Sequence, residues 1–176
     1  MRKTLTAAIS LVVVLASQAA AQSTIFVVRH AERADTPTPG GPPPPPSPPG
    51  QPADPDLSAA GHVRAQSLAF TLRHSGITAI YVTTFKRTQQ TAAPLAKALG
   101  LTPIVLPQDD SATLRQRLLQ HRGAALVVGH VPTVPEIVKG LGVKEAVTIT
   151  DSDFDHLFVV VRPASGDPAL LRLSYK

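Results

Sequence analysis

The chain has 176 residues, 43% of them hydrophobic and 16% charged; that supports one domain whose core is mainly Leu, Val, Ala and Ile, because aromatics make up only 4%. It has no cysteine, which excludes disulfides, thiolate metal sites and a cysteine-nucleophile phosphatase or protease. The formal charge of +5 falls by two without Arg2 and Lys3, and the remainder is too small and too scattered to mark a nucleic-acid partner.

Residues 1–21, MRKTLTAAISLVVVLASQAAA, read as a signal peptide. Arg2 and Lys3 form the basic region, Leu5 to Leu15 the apolar region, and Ala19-Ala20-Ala21 the small-residue cleavage pattern, with the cut after Ala21. The apolar run is short beside the roughly 20 residues of a bilayer span. The expectation is a bacterial protein that is periplasmic or secreted, with no stable membrane anchor after cleavage and a single domain over residues 22–176.

The first strand is carried by TIFVVRHAER, where a β-branched and apolar run ends on Arg29-His30, with Glu32 just beyond. Residues 36–56 follow as a proline-rich insertion. Proline removes the backbone donor and fixes φ, so no helix or sheet runs through it; it reads either as a spacer or as a flap over a site. Ser58 can N-cap a helix reaching about His74, with Gly76 as its stop. Ile77 to Thr83 reads as a buried strand. Phe85 to Leu99 reads as a helix stopped by Gly100 and kinked or broken at Pro94.

Pro103 to Leu106 is a short strand, and Ser111 can cap a helix over Ala112 to Arg122. A strand from about Ala125 to Gly129 leads into His130. HLFVVVR and ALLRLSY close the chain as an antiparallel pair at one end of the sheet. Alternating β and α segments imply a three-layer α/β/α sandwich with a mostly parallel central sheet. Ligands in such folds sit beyond the carboxyl ends of the strands.

Three strands carry polar residues at those ends. The first ends in Arg29-His30, the second leads into a helix whose first turn holds Arg87, and the fourth ends in His130. Each alone would pass as a surface residue; their joint placement marks a site. His62, His74, His121 and His156 have no such company and read as surface or packing residues. Asp151, Asp153 and Asp155 in DSDFD lack the ligand run and glycine turn of a calcium loop and read as a solvated turn.

These blocks resemble the histidine phosphatase superfamily, the phosphoglycerate mutase-like fold. The family opens with a strand and Arg-His-Gly-Glu, here Arg29-His30-Ala31-Glu32. Next come LSAAG from Leu57 to Gly61, and TTFKRTQQTA with Thr83 in place of serine, then Arg87, Thr91 and Ala92. LVVGH with His130 is last. The set is in family order over nearly the whole of residues 22–176 and is closest to small, exported SixA-like members. Two departures stand out: Thr36 takes the place of an asparagine of mutase-type members, and Val131-Pro132 follows His130 where small or amide residues are usual.

The resemblance implies a metal-independent phosphatase without cofactor that acts on a small phosphorylated substrate or a phosphoprotein. A phosphomonoester is a dianion, and Arg29 and Arg87 offer planar forks of donors to its oxygens. His130 adds a donor when phosphate is bound. His30 attacks phosphorus through a neutral ring nitrogen and forms a phosphohistidine, its other nitrogen being fixed by an acceptor such as a backbone carbonyl. Thr91 reads as a helix-packing or supporting residue. Glu32 is either an ion-pair partner of Arg29 or Arg87, at the substrate side of the site, or simply solvated. The family's acid often follows the third strand, which here offers Asp109 and Asp110. The alternatives are a non-catalytic phosphate- or anion-binding module of the same fold, and a metal-dependent hydrolase built on His30 and His130, which would need carboxylates near both.

Overall fold

In a computed structural model, residues 22–36 and 54–176 are described. The signal-peptide segment, residues 1–21, and the part of the proline-rich insertion from 37 to 53 lie outside the described residues. The elements in chain order are β1 (Ser23–Arg29), α1 (Ala59–Leu72), β2 (Ile77–Thr83), α2 (Lys86–Leu99) and β3 (Ile104–Leu106). They are followed by α3 (Ser111–Gln120), β4 (Gly123–Gly129), α4 (Thr133–Gly140), β5 (His156–Arg162) and β6 (Ala169–Ser174).

The strands form one sheet in the order β3-β2-β4-β1-β5-β6. β1, β2, β3 and β4 run parallel, while β5 pairs antiparallel with β1 and β6 antiparallel with β5. The expected α/β/α sandwich with its antiparallel closing pair is therefore the observed architecture. β1 and β4 lie in the middle, with both faces covered, and this is why their sequences are near-continuous apolar runs. Successive residues point to opposite faces. Val28, Ile80, Val82, Leu126 and Val128 pack under α1 and α2. Ile25, Val27, Tyr81, Val127 and Phe158 pack against Leu118 of α3 and Val134 and Val138 of α4.

The helix ends follow side-chain chemistry. Ser58 caps α1, its Oγ accepting from the Gly61 N–H at 3.1 Å. Gly100 ends α2 in the left-handed region at φ 66°, where a glycine carries no Cβ penalty. α2 runs through Pro94 unbroken, so of the expected kink or break the break does not occur. One lost backbone bond is outweighed by the burial of Thr91, Ala92, Leu95 and Ala96 on either side of the proline. The cap of α3 is Asp110 rather than Ser111: its carboxylate accepts from Thr113 N–H at 3.2 Å. α4 has no counterpart in the sequence reading.

The first turn of α1 is pressed against the segment that follows His30. Ser58 N–H donates to the Glu32 carbonyl at 2.9 Å. A Cβ placed on Gly61 would lie 2.1 Å from that same oxygen. Only a residue without a side chain allows this approach. Either side of the proline-rich insertion, Arg33 bridges Leu57 and Ala34 N–H donates to the Asp56 carbonyl at 2.8 Å, so the two feet of the insertion are held together beside the strand end.

Gly61→Ala forces α1 and the Glu32 carbonyl apart. It should destabilise the fold by about 1–3 kcal/mol, as overpacked sites do, seen as a lower denaturant midpoint at unchanged slope.

Candidate active site

Register brings the site together. Arg29 of β1 is paired with Gly129 of β4, so His30 and His130 are each one residue past a matched pair on neighbouring parallel strands. His30 N–H extends the ladder by donating to the Gly129 carbonyl at 2.9 Å. The two imidazoles meet edge to face, with centroids 5.3 Å apart and planes at 61°. Arg29, His30, Arg87 and His130 are all buried, between 4% and 8% exposed.

His30 Nδ1 lies 2.8 Å from the Ala31 carbonyl. Since a carbonyl only accepts, Nδ1 carries the hydrogen and Nε2 keeps its lone pair. The peptide that follows is held in turn: Ala31 N–H donates to Thr91 Oγ1 at 2.9 Å, and that hydroxyl donates to the Arg87 carbonyl at 2.7 Å. Thr91 thereby ties the His30 strand end to the turn of α2 that carries Arg87. The supporting role expected of it is the one observed.

Each arginine rests on a phenyl ring. Arg29 Cζ lies 4.0 Å from the Phe154 centroid, and Arg87 Cζ lies 4.0 Å from that of Phe85. Arg29 Nη1 donates to the Thr150 carbonyl at 3.0 Å and the Asp153 carbonyl at 3.3 Å. Arg87 sits in the first turn of α2, its Nε 3.4 Å from His130 Nδ1 and its Nη1 3.8 Å from Asp54 Oδ1. Asp54 also accepts from Lys86 N–H at 2.9 Å and so serves the N-terminus of α2, where Phe85 offers no side-chain cap. His130 Nε2 is 3.1 Å from Thr83 Oγ1, which is 3.0 Å from Thr88 Oγ1, and His130 N–H donates to Thr133 Oγ1 at 2.9 Å. The threonine in place of the usual serine thus braces the second histidine.

Burial is the main cause that pushes the His30 pKa down to about 3, with repulsion from His130, Arg29 and Arg87 adding to it and the Ala31 carbonyl opposing it. His130 is pushed down to about 4 by burial, then by Arg87, Arg29 and Arg33. Both arginines are lowered chiefly by burial and stay charged, as guanidinium does in proteins. The site therefore holds two neutral imidazoles between two cations at neutral pH.

Three expected site residues lie elsewhere. Glu32 pairs with neither Arg29 nor Arg87: its two oxygens accept from Arg64 Nε at 2.8 and 2.9 Å, and Arg64 Nη2 approaches to 2.7 Å. Arg64 projects from α1 beside the Glu32 backbone, and the pair locks α1 in place instead of facing a substrate. Asp110 spends its carboxylate on the α3 cap, and Asp109 is exposed in the same connection. Among the described residues neither shares a hydrogen bond or ion pair with the four central groups. His62 and His74 are exposed on or just past α1, His121 bonds the Ala124 carbonyl, and His156 meets Phe158 edge to face. Asp153 closes its own turn by accepting from Thr150 N–H at 2.7 Å. That turn does more than meet solvent, since its carbonyls hold Arg29. Among the described residues no three His, Cys, Asp or Glu side chains gather as a metal site would need.

Residues 25–109 match the family model of the histidine phosphatase superfamily (branch 1). The structure of the protein histidine phosphatase SixA complexed with tungstate is similar over 86% of this chain and 96% of that one, with TM-score 0.63 and 21% identity. The mycobacterial glucosyl-3-phosphoglycerate phosphatase is similar over 88% of this chain and 100% of that one, with TM-score 0.57 and 13% identity. A 54-residue stretch is 50% identical to the PE-PGRS family protein PE_PGRS11 of Mycobacterium tuberculosis (strain ATCC 25618 / H37Rv); it covers 30% of this chain but only 9% of that protein, so the chain spans a small part of that relative. The structural likeness defines the class, an α/β/α sandwich of the phosphoglycerate mutase-like fold. Through the sequence match over residues 25–109 and the ordered motifs, the chain is similar to the histidine phosphatase superfamily.

The depressed histidines fix how stability depends on pH. Their folded-state values, about 3 and about 4, lie below the unfolded value of about 6.5. Between these limits the unfolded chain binds more protons, so stability rises with pH there. The contribution is intact above about 6.5 and is lost as pH falls toward the folded values. Denaturant midpoints should drop from neutral to mildly acidic buffer in the unaltered protein and drop less in His130→Gln; equal slopes would contradict the assignment.

Proposed function

We propose that the protein is a phosphomonoester hydrolase acting through a phosphohistidine on His30. The observation that carries this reading is the His30 ring, held by Nδ1 on the Ala31 carbonyl and kept neutral between two arginines. Nε2 attacks phosphorus in line as the bond to the ester oxygen breaks. That oxygen leaves with the bonding pair and takes a proton. Water then attacks the phosphohistidine, returns His30 to its neutral state and releases phosphate.

Arg29 and Arg87 supply the positive charge against which the transferring oxygens develop, so the chemistry needs no metal for this. Both are preset before substrate arrives, Arg29 by the Phe154 ring and the Thr150 and Asp153 carbonyls, Arg87 by the Phe85 ring, His130 and Asp54. His130, between Arg87 and Thr83, gains a proton more readily once a dianion lies beside it and then acts as a further donor. SixA, similar in fold, is described as a protein histidine phosphatase, which supports a phosphoprotein as substrate, while the similar glucosyl-3-phosphoglycerate phosphatase supports a small phosphorylated compound.

His30→Ala should abolish turnover of p-nitrophenyl phosphate, and rapid quench with labelled substrate should trap an acid-labile, base-stable adduct on His30 alone. Arg87→Ala should cost about 3–4 kcal/mol of transition-state stabilisation, the scale of one lost electrostatic donor. Full activity in His30→Ala would refute the mechanism. Phosphate binding without turnover would leave the chain as an anion-binding module.

Export is part of the same proposal. The basic, apolar and small-residue succession up to Ala21 supports delivery across a bacterial inner membrane and release into the periplasm or beyond. No helix among the described residues is long and apolar enough to cross a membrane. Exported protein should begin at Gln22 by N-terminal sequencing; a retained leader in detergent-requiring material would sink this.

A further inference from the structure

A cleft of about 300 Å³ opens between α3 and α4 above the sheet. Protein interiors are close-packed and seldom leave voids larger than a water, so a gap of this size between two helices is a feature of ligand sites. Tyr81 and Val127 form its floor, Leu114 and Leu118 its wall on α3, and Ile137 and Leu141 its wall on α4. Leu118 is the one fully buried residue of α3, near its carboxyl end. The amino-terminal half of α3 therefore stands off from the sheet, on the side where β3 and β4 end. Farther down, Arg115 Nε donates to the Gly140 carbonyl at 3.1 Å and ties the two helices together across the cleft.

One end adjoins the catalytic residues. Thr83, Gly129 and Thr133 line it. Two of these hold His130, through Thr83 Oγ1 on Nε2 and Thr133 Oγ1 on the backbone N–H. Gly129 is the residue whose carbonyl receives His30 N–H. The cleft is thus one residue layer from the histidines; its floor and facing walls are apolar, with Asp110, Arg115 and Glu136 at its margins.

We propose that this cleft receives an apolar chain of the substrate alcohol, so that the protein hydrolyses phosphomonoesters of long-chain apolar alcohols. The phosphate is placed among Arg29, His30, Arg87 and His130, and the chain passes Thr83 and lies between Leu114 and Ile137. This rests on the phosphatase reading and adds a substrate class to it.

The test uses linear alkylphosphonates, which cannot be hydrolysed, as inhibitors of p-nitrophenyl phosphate turnover. Turnover itself reports on the phosphatase reading, independently of any chain. Methylphosphonate should inhibit weakly. From butyl- to octylphosphonate, inhibition should tighten about three- to fourfold per methylene, the value of burying each group. Ile137→Trp fills the cleft and should remove the dependence on length, while p-nitrophenyl phosphate turnover and methylphosphonate inhibition stay unchanged. Leu114→Gln, half-buried on the opposite wall, should flatten the dependence too and serves if the tryptophan variant does not fold. Inhibition independent of chain length, or a length dependence that survives in a folded variant of either wall, overturns the proposal; a phosphoprotein substrate that needs no such cleft would give the first result.

Discussion

The constraint on which the site depends is the packing of like charges. Two guanidinium groups and two imidazoles share a space too buried for water to screen them, and such charges raise one another's energy steeply in a medium of low polarity. The imidazoles, pushed down first by burial and then by the neighbouring cations, stay neutral. For His30 this is a functional gain, since only the neutral ring has a lone pair to offer phosphorus. A cavity lined by cations thus keeps its nucleophile ready without a neighbouring base to deprotonate it.

The arginines have no such exit, and beside the carboxylates of Asp54 and Asp151 they are held by uncharged partners. Arg29 is met by the carbonyls of Thr150 and Asp153 and by the face of Phe154; Arg87 is met by Phe85 and His130. Carbonyls and ring faces offer partial negative charge without neutralising the cation. The same phenyl rings flank the imidazoles, Phe85 at 5.5 Å from His130 and Phe154 at 6.5 Å from His30. Donors fixed before the reaction need no reorganisation as charge develops, which is where such sites gain most of their rate.

The elements with long apolar runs, and the four central residues, were legible from sequence because both are local: the runs are contiguous, Arg29, His30 and His130 stand at strand ends, and Arg87 stands in the first turn of the helix after β2. α4 was missed for a local reason too. TVPEIVKG is eight residues long and carries Pro135 in its first turn. A proline there costs nothing, since that N–H would have no helical partner, but on the page it looks like a breaker. Asp110 and Ser111 are both good caps in adjacent places, and only backbone geometry selects between them. The Glu32–Arg64 pair, the Phe154 turn and the Asp54 contact join residues far apart in the chain. Glu32, three residues from Arg29 in sequence, pairs with Arg64 because α1 packs its first turns against the Glu32 backbone.

Asp54 completes the electrostatics of the resting site. It sits at the foot of the proline-rich insertion, bonds the first N–H of α2 and lies 3.8 Å from Arg87. Asp151 approaches Arg29 at 3.7 Å, but its side chain is 97% exposed, and water screens most of its effect. A monoester dianion carries two negative charges on one small, forked group that matches the donors of Arg29 and Arg87. A diester carries a single charge, and it brings a second organic arm into a space flanked by the rings of Phe85 and Phe154. Preference for monoesters over diesters follows because two buried guanidinium groups gain more from the dianion, before any contact with the rest of the substrate is counted.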